Sequence, residues 1–224
     1  MTPEAIADHI AAHLVGVEED LTILDPFCGV CGNAIAFAKR KEVKLVVCVD
    51  VDLEKLKKAA WNAHIYDIPP EKILFIHSDA YTVLSMFKGG TLINKSSQQP
   101  EIPPMIEKGF RIIGQHQELP EKIDVVFLSP PWGGLNYLKV GKRNYDLKCI
   151  EVEHGDKKID GEELLVGAAK AVGDGRPIAY FLPRNTNGVK FARSVLKAGC
   201  SGPVVMEQNV LNGKLKTVTA YIGL

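Results

Sequence analysis

Leu21-Thr22-Ile23-Leu24-Asp25-Pro26-Phe27-Cys28-Gly29-Val30-Cys31-Gly32-Asn33 is the stretch on which the fold turns. Residues 21–24 form a short apolar run that reads as a buried strand, and Ala34-Ile35-Ala36-Phe37-Ala38-Lys39 continues as a helix. Strand, glycine-bearing turn and helix in succession bring backbone N–H groups at a helix N-terminus close to a charged ligand. The pattern G-x-G-x-x-G is absent, which sets aside a nicotinamide dinucleotide site. An acid at the strand end, Asp25, instead favours a ligand end that carries ammonium and sulfonium charge.

The same logic recurs downstream. Lys44-Leu45-Val46-Val47-Cys48-Val49-Asp50 is a second strand ending in an acid, and Asp52 caps a helix from Leu53 to about His64. An acid about 20 residues beyond the first turn is where a ribose is held through its hydroxyls, with a plain loop acid as the competing reading of Asp50. Residues 73–80 make a third strand, and Asp79 at its end can accept from the amino group of an adenine. Three acids at three carboxyl edges line one crevice, and together they indicate S-adenosylmethionine.

Residues 123–128, Ile-Asp-Val-Val-Phe-Leu, form a fourth apolar run that leads into Ser129-Pro130-Pro131-Trp132-Gly133-Gly134. Two prolines lock φ, so a hydroxyl, a carbonyl and an indole are held in a set relation at the carboxyl edge of the sheet. Nucleobase-amino methyltransferases place such a turn where an exocyclic amine reacts. A Pro-rich turn with a core Trp is the plainer alternative. Residues 177–182 are a fifth strand, ending in Pro183-Arg184-Asn185. Residues 203–207 and 216–222 alternate as a closing hairpin across Leu211-Asn212-Gly213-Lys214.

The remaining segments are less regular. Thr2-Pro3-Glu4 opens a helix with Thr2 as N-cap, and Ile6, Ile10, Leu14 and Val17 mark its buried face. Residues 88–122, with Gly89-Gly90, Ser96-Ser97-Gln98-Gln99-Pro100 and Pro103-Pro104, read as a peripheral insertion in an otherwise single domain spanning 1–224. Residues 137–160 read as loop, with Lys139, Lys142, Arg143 and Lys148 interleaved with Tyr137 and Tyr145. Phosphate contact competes there with a solvated charge run. Helices follow at about 161–172 and 189–198.

Twenty-seven basic and 27 acidic residues cancel, which argues against a protein gripping long nucleic acid through many phosphates. Reading one nucleotide or an RNA end stays open. No run of about 18 apolar residues is present, so no membrane span is expected. The N-terminus lacks a signal-peptide pattern, and five irregularly spaced cysteines suit a reducing, intracellular compartment. Cys28 and Cys31 form C-x-x-C without the second pair that a structural zinc site needs, and no metal is expected. His9 and His13 lack the adjacent acid of a ligand pair, and no nucleophile signature is present.

Asp25 to Asn33, Val126 to Gly134, Tyr180-Phe181-Leu182-Pro183-Arg184-Asn185 and the tail Glu207-Gln208-Asn209 through Leu215-Lys216-Thr217 closely resemble the trimethylguanosine synthases, the RNA cap guanine-N2 methyltransferases. The resemblance runs from Thr2 to the C-terminus, apart from the insertion. Cys31 stands where the family has Gly, and the upstream helical segment of longer members is absent from this sequence. The resemblance implies a class I S-adenosylmethionine-dependent methyltransferase: a Rossmann-like doubly wound α/β sheet, mostly parallel, with an antiparallel C-terminal hairpin. It implies methyl transfer to the exocyclic N2 amine of a 7-methylguanosine cap. The implied cofactor contacts are Thr2, Asp25, Cys28, Gly29, Asn33, Asp50, Val51, Asp79, Ala80 and Ser129. Ser129, Pro130 and Trp132 are the implied catalytic group, with Trp132 stacked on the 7-methylguanine. Asn62 reaches the base, and Arg184 with Asn185 the cap phosphates. The implied partner is a capped RNA of the small nuclear or nucleolar class, met by a monomer in the nucleus, with the cytoplasm as the other compartment. Methylation of an internal guanine or adenine amine in structural RNA, and an idle cap-binding adaptor, are the competing functions.

Overall fold

The chain alternates strand and helix because short apolar runs are separated by capped, amphipathic segments. α1 (Glu4–Val15) buries Ile6, Ile10 and Leu14. β1 (Leu21–Asp25), α2 (Gly32–Ala38), β2 (Val43–Asp50), α3 (Leu53–Ile65), β3 (Ile73–His77) and α4 (Ala80–Ser85) follow in order. β4 (Phe87–Lys88) and β5 (Thr91–Leu92) make a small ribbon. β6 (Met105–Glu107), β7 (Phe110–Gly114) and β8 (Val125–Leu128) precede a second ribbon, β9 (Glu151–His154) with β10 (Lys157–Asp160). α5 (Gly161–Val172), β11 (Ile178–Pro183), α6 (Gly188–Lys197), β12 (Val204–Leu211) and β13 (Lys214–Ile222) complete the chain. This computed structural model describes every residue except 1, 17, 94–103, 115–118, 142 and 143, and the side chains of 135, 136 and 138.

Nine strands form one sheet in the order β12-β13-β11-β8-β1-β2-β3-β7-β6. The strands from β11 to β7 in that order pair in parallel, and β6, β13 and β12 pair antiparallel. This is the doubly wound, mostly parallel sheet with a C-terminal hairpin expected from the sequence. Chain order runs one way from β1 through β2 and β3 and the other way from β8 to β11, so the switch point lies between β1 and β8. Ligands of open α/β sheets bind in the crevice at that point. One core lies between the sheet and α1, α2 and α3, and a second between the sheet and α4, α5 and α6.

Three details depart from the expectations. Pro3, not Thr2, stands at the N-cap of α1, because the Pro3 carbonyl takes the amides of Ile6 and Ala7 while the Thr2 hydroxyl is engaged elsewhere. Within 88–122, β7 joins the sheet beside β3 and buries Phe110, Ile112 and Ile113, so part of this stretch is edge sheet. Its Ser96 to Pro100 run and Pro103 lie outside the described residues. Within 137–160, the second ribbon replaces the expected loop.

Candidate active site

A cavity of about 710 Å³ opens at the carboxyl edge of β1, β2, β3 and β8. Its floor is the turn that the sequence singled out. Cys31 caps α2 in the left-handed region, φ 75°, and Gly29 sits at φ 54°. Only glycine takes that region without strain, so Cys31 holds an uncommon conformation. A Cβ built on Gly29 or Gly32 would meet no atom within 4 Å, so the space above the turn is room for a ligand.

The cavity is lined by Thr2, Cys28, Gly29, Asn33, Asp50, Val51, Asp79, Ala80 and Ser129, nine of the ten expected cofactor contacts. The Asn33 amide donates to the Thr2 hydroxyl over 3.1 Å, which draws the start of α1 to the α2 N-terminus. Asp50 accepts from the amides of Gly29 and Asp52 at 3.1 and 2.9 Å, and Lys55 Nζ stands 3.7 Å away. Asp79 caps α4, accepts from the Thr82 amide, and takes His154 Nδ1 at 2.8 Å. Burial pushes the Asp79 carboxyl up, but the bonds from Thr82 and His154 outweigh it and hold it below the usual range.

Asp25, the tenth, does not line the cavity. It is fully buried beneath the turn, where the Phe27 amide donates to Oδ1 over 3.2 Å. Burial, with a smaller push from the Asp50 charge, raises its carboxyl to about 7. Its Oδ2 and the Oδ1 of Asn33 are buried acceptors without a protein partner among the described residues. The orphan Asn33 acceptor, the open space over the glycines and the cavity-lining acids Asp50 and Asp79 fit the ribose and adenine of S-adenosylmethionine, while Asp25 stays beneath the turn. Burial also pushes the Cys28 thiol up to about 12, so it meets a ligand as a neutral group.

Of the expected catalytic and substrate residues, Ser129 lines this cavity and Pro130, Trp132, Asn62, Arg184 and Asn185 do not. Ser129 donates to the Phe27 carbonyl over 3.3 Å, leaving its lone pairs to accept. Pro130 is buried behind it, and Pro131 rather than Pro130 lines the cavity. Trp132 is half-buried: its Nε1–H donates to the Phe181 carbonyl over 3.1 Å, and its ring packs against those of Phe181 and Tyr137 at 5.4 and 5.7 Å. Asn62 faces the turn, donating one amide N–H to the Val30 carbonyl over 2.9 Å, and does not line the cavity. Asn185 donates to the carbonyls of Tyr137 and Gly141 and so ties the 3₁₀ segment Gly134–Val140 to the end of β11, with its Oδ1 buried and without a partner among the described residues. Arg184 is exposed at the same edge.

Other expectations change. Tyr145, read as part of a basic surface, is buried, and its hydroxyl donates to the Trp132 carbonyl over 3.4 Å. Lys148 lies 3.9 Å from Glu162, while Lys142 and Arg143 lie outside the described residues. The sequence reading passed over Lys55 and over β9, whose Glu151, Val152 and Glu153 line the cavity. A signal was present: Gly155-Asp156, with Gly155 at φ 57°, joins two four-residue alternating runs, which is a hairpin pattern.

Comparison with known proteins agrees with this geometry. The family model for RNA cap guanine-N2 methyltransferases matches residues 21–224. The chain is 31% identical over 187 residues to the trimethylguanosine synthase of Schizosaccharomyces pombe, covering 84% of this chain and 60% of that protein. It is 28% identical over 219 residues to the trimethylguanosine synthase of Saccharomyces cerevisiae, covering 95% and 56%. The chain thus spans less than two thirds of the length of these curated relatives. Among solved structures, an S-adenosylmethionine-dependent methyltransferase from Agrobacterium tumefaciens superposes with a TM-score of 0.62 at 12% identity, covering 99% of this chain and 62% of that one. That likeness shows the class I methyltransferase fold alone. With the family model covering all but the first 20 residues, the chain belongs to the RNA cap guanine-N2 methyltransferase family.

Proposed function

We propose that this protein transfers a methyl group from S-adenosylmethionine to the exocyclic N2 amine of a 7-methylguanosine RNA cap. The observation that carries the reading is the placement of Ser129 on the wall of the acid-lined cavity, at the head of the turn that also holds Trp132. When bound, S-adenosylmethionine supplies an electrophilic methyl on a sulfonium. The chain's own part is orientation and exclusion of water.

The Ser129 hydroxyl, anchored on Phe27, accepts from the guanine amine and aims its lone pair, with the buried Pro130 holding the turn rigid behind it. Trp132 is fixed by its bond to Phe181, so its free surface is preset for a flat base. A 7-methylated guanine is cationic, and an indole then adds cation–π attraction to stacking, roughly 1–3 kcal/mol together. Arg184, exposed at the β11 edge, is placed for cap phosphates. The product amine loses its proton to water, so no general base is needed. The RNA is of the small nuclear or nucleolar class in this reading, the compartment is the nucleus, and the protein acts as a monomer.

The test is methyl transfer from labelled S-adenosylmethionine to 7-methyl-GTP, with GTP in parallel. Label confined to the 7-methylated nucleotide is the expected result, and product mass counts the methyl groups. Equal labelling of GTP, or no labelling by a protein that binds S-adenosylmethionine, overturns the assignment to the cap.

A further inference from the structure

The β9–β10 ribbon has no part in the reaction as described so far, yet it forms one wall of the cavity. Side chains alternate along a strand, so Val152 and His154 lie on one face of β9. Val152 lines the cavity and is partly buried against the second core. The His154 ring packs edge-on against Tyr81 of α4, with centroids 5.1 Å apart.

The acceptor that His154 engages is Asp79. An ionised carboxylate offers about four lone-pair sites. Oδ1 takes the Thr82 amide at 2.9 Å and His154 Nδ1 at 2.8 Å, and Oδ2 takes the Thr82 hydroxyl. One site remains, on Oδ2, and the Asp79 side chain is still 20% exposed, on the cavity wall. A carboxylate only accepts, so the proton between it and the ring belongs to Nδ1.

We propose that this ribbon covers the purine end of the cavity and that His154 is a positioning residue, holding the Asp79 carboxylate so that its last lone pair receives the exocyclic amine of adenine. The inference rests on reading the cavity as the S-adenosylmethionine site. Its consequence is discrimination at one atom of the purine. An amine there satisfies Asp79, whereas a carbonyl oxygen meets a fixed anion, and rejection built on an unmatched polar group is strong.

Calorimetric titration of S-adenosylhomocysteine and of its 6-oxo counterpart, S-inosylhomocysteine, tests this on three proteins. The wild type is expected to prefer the adenosyl compound by about tenfold or more. His154→Phe keeps a ring against Tyr81 and removes the donor; most of the preference is expected to vanish, with KM for S-adenosylmethionine raised and kcat little changed. His154→Asn keeps a donor near the Nδ1 position and is expected to restore most of it. An unchanged preference and KM in His154→Phe overturn the role of His154. Equal binding of both compounds by the wild type overturns the Asp79 contact. Binding of neither by the wild type overturns the cofactor reading underneath.

Discussion

The backbone N–H of Gly29 donates to Oδ2 of Asp50 over 3.1 Å, so the turn after β1 is built on the acid that ends β2. The other oxygen of Asp50 takes the Asp52 amide, at the start of α3. One side chain therefore shapes the ligand turn and orders the helix entry. Asp50→Ala leaves both amides short of an acceptor and is expected to cost about 1–3 kcal/mol of stability. Urea unfolding measures that loss. Titration with S-adenosylhomocysteine should show affinity down by at least about tenfold, since ribose acceptor and turn fail together.

Asp25 gives the apo protein a pH dependence of definite sign. Its folded value, about 7, lies above the ordinary value of 3.8, so the folded state binds the extra proton. Stability from this group is full below about pH 4 and is lost as pH rises towards 7. The difference in unfolding free energy between wild type and Asp25→Asn should therefore shift between about pH 4 and 7 in favour of the variant, by about 1–4 kcal/mol. A difference flat across that range contradicts a buried Asp25 carboxyl whose folded value is raised.

At Cys31 the strain and the packing can be separated. Cys31→Ala loses the buried sulfur and keeps the left-handed backbone, while Cys31→Gly loses both sulfur and strain. The Gly variant should be the more stable of the two by about 1 kcal/mol in denaturant melts. Equal stability would mean that the turn relaxes around a side chain at no cost.

Trp132 is a packing residue as well as the platform proposed for the base. Trp132→Ala should cost roughly 2–3 kcal/mol of stability because the ring is half-buried between both cores. Trp132→Phe is the cleaner probe: it loses the bond to Phe181 and part of the cation–π attraction. Calorimetry should show 7-methyl-GDP bound about five- to tenfold more weakly, with S-adenosylhomocysteine affinity unchanged.

Arg184 and Asn185 are neighbours with separable effects. Arg184→Ala, at an exposed position, should leave stability within about 0.5 kcal/mol while weakening 7-methyl-GTP more than 7-methylguanosine. Asn185→Ala removes two bonds to the Gly134–Val140 segment and its following turn, and should cost about 1–2 kcal/mol in thermal melts.

The acids were legible because a parallel strand buried on both faces is a short, nearly continuous apolar run, and the residue that breaks it stands at the sheet edge. Asp50 and Asp79 could be placed on the crevice by that rule alone. Asp25 obeys it too, yet its side chain goes under the turn, a matter of one rotamer that no spacing reveals. Asn62 was assigned by resemblance, and its bond to the Val30 carbonyl, made because α3 packs beside the turn, is one that no spacing reveals. The β9–β10 ribbon was hidden because Glu151, Glu153, Lys157 and Lys158 make it look like a solvated charge run. Its few apolar residues, Val152 and Ile159, acquire a partner only when α4 and α5 arrive from elsewhere in the chain.

The sequence by itself determined the alternation of strand and helix and the carboxyl edge as the place of chemistry, since periodicity and strand-end acids are local properties, whereas the switch point between β1 and β8 came from the strand order of the sheet. Tertiary structure alone decided which polar atoms face the ligand and which are consumed inside. Each polar group has a limited number of hydrogen bonds to make, and the partner that takes one lies tens of residues away: Val30 for Asn62, Tyr137 for Asn185, Asp79 for His154.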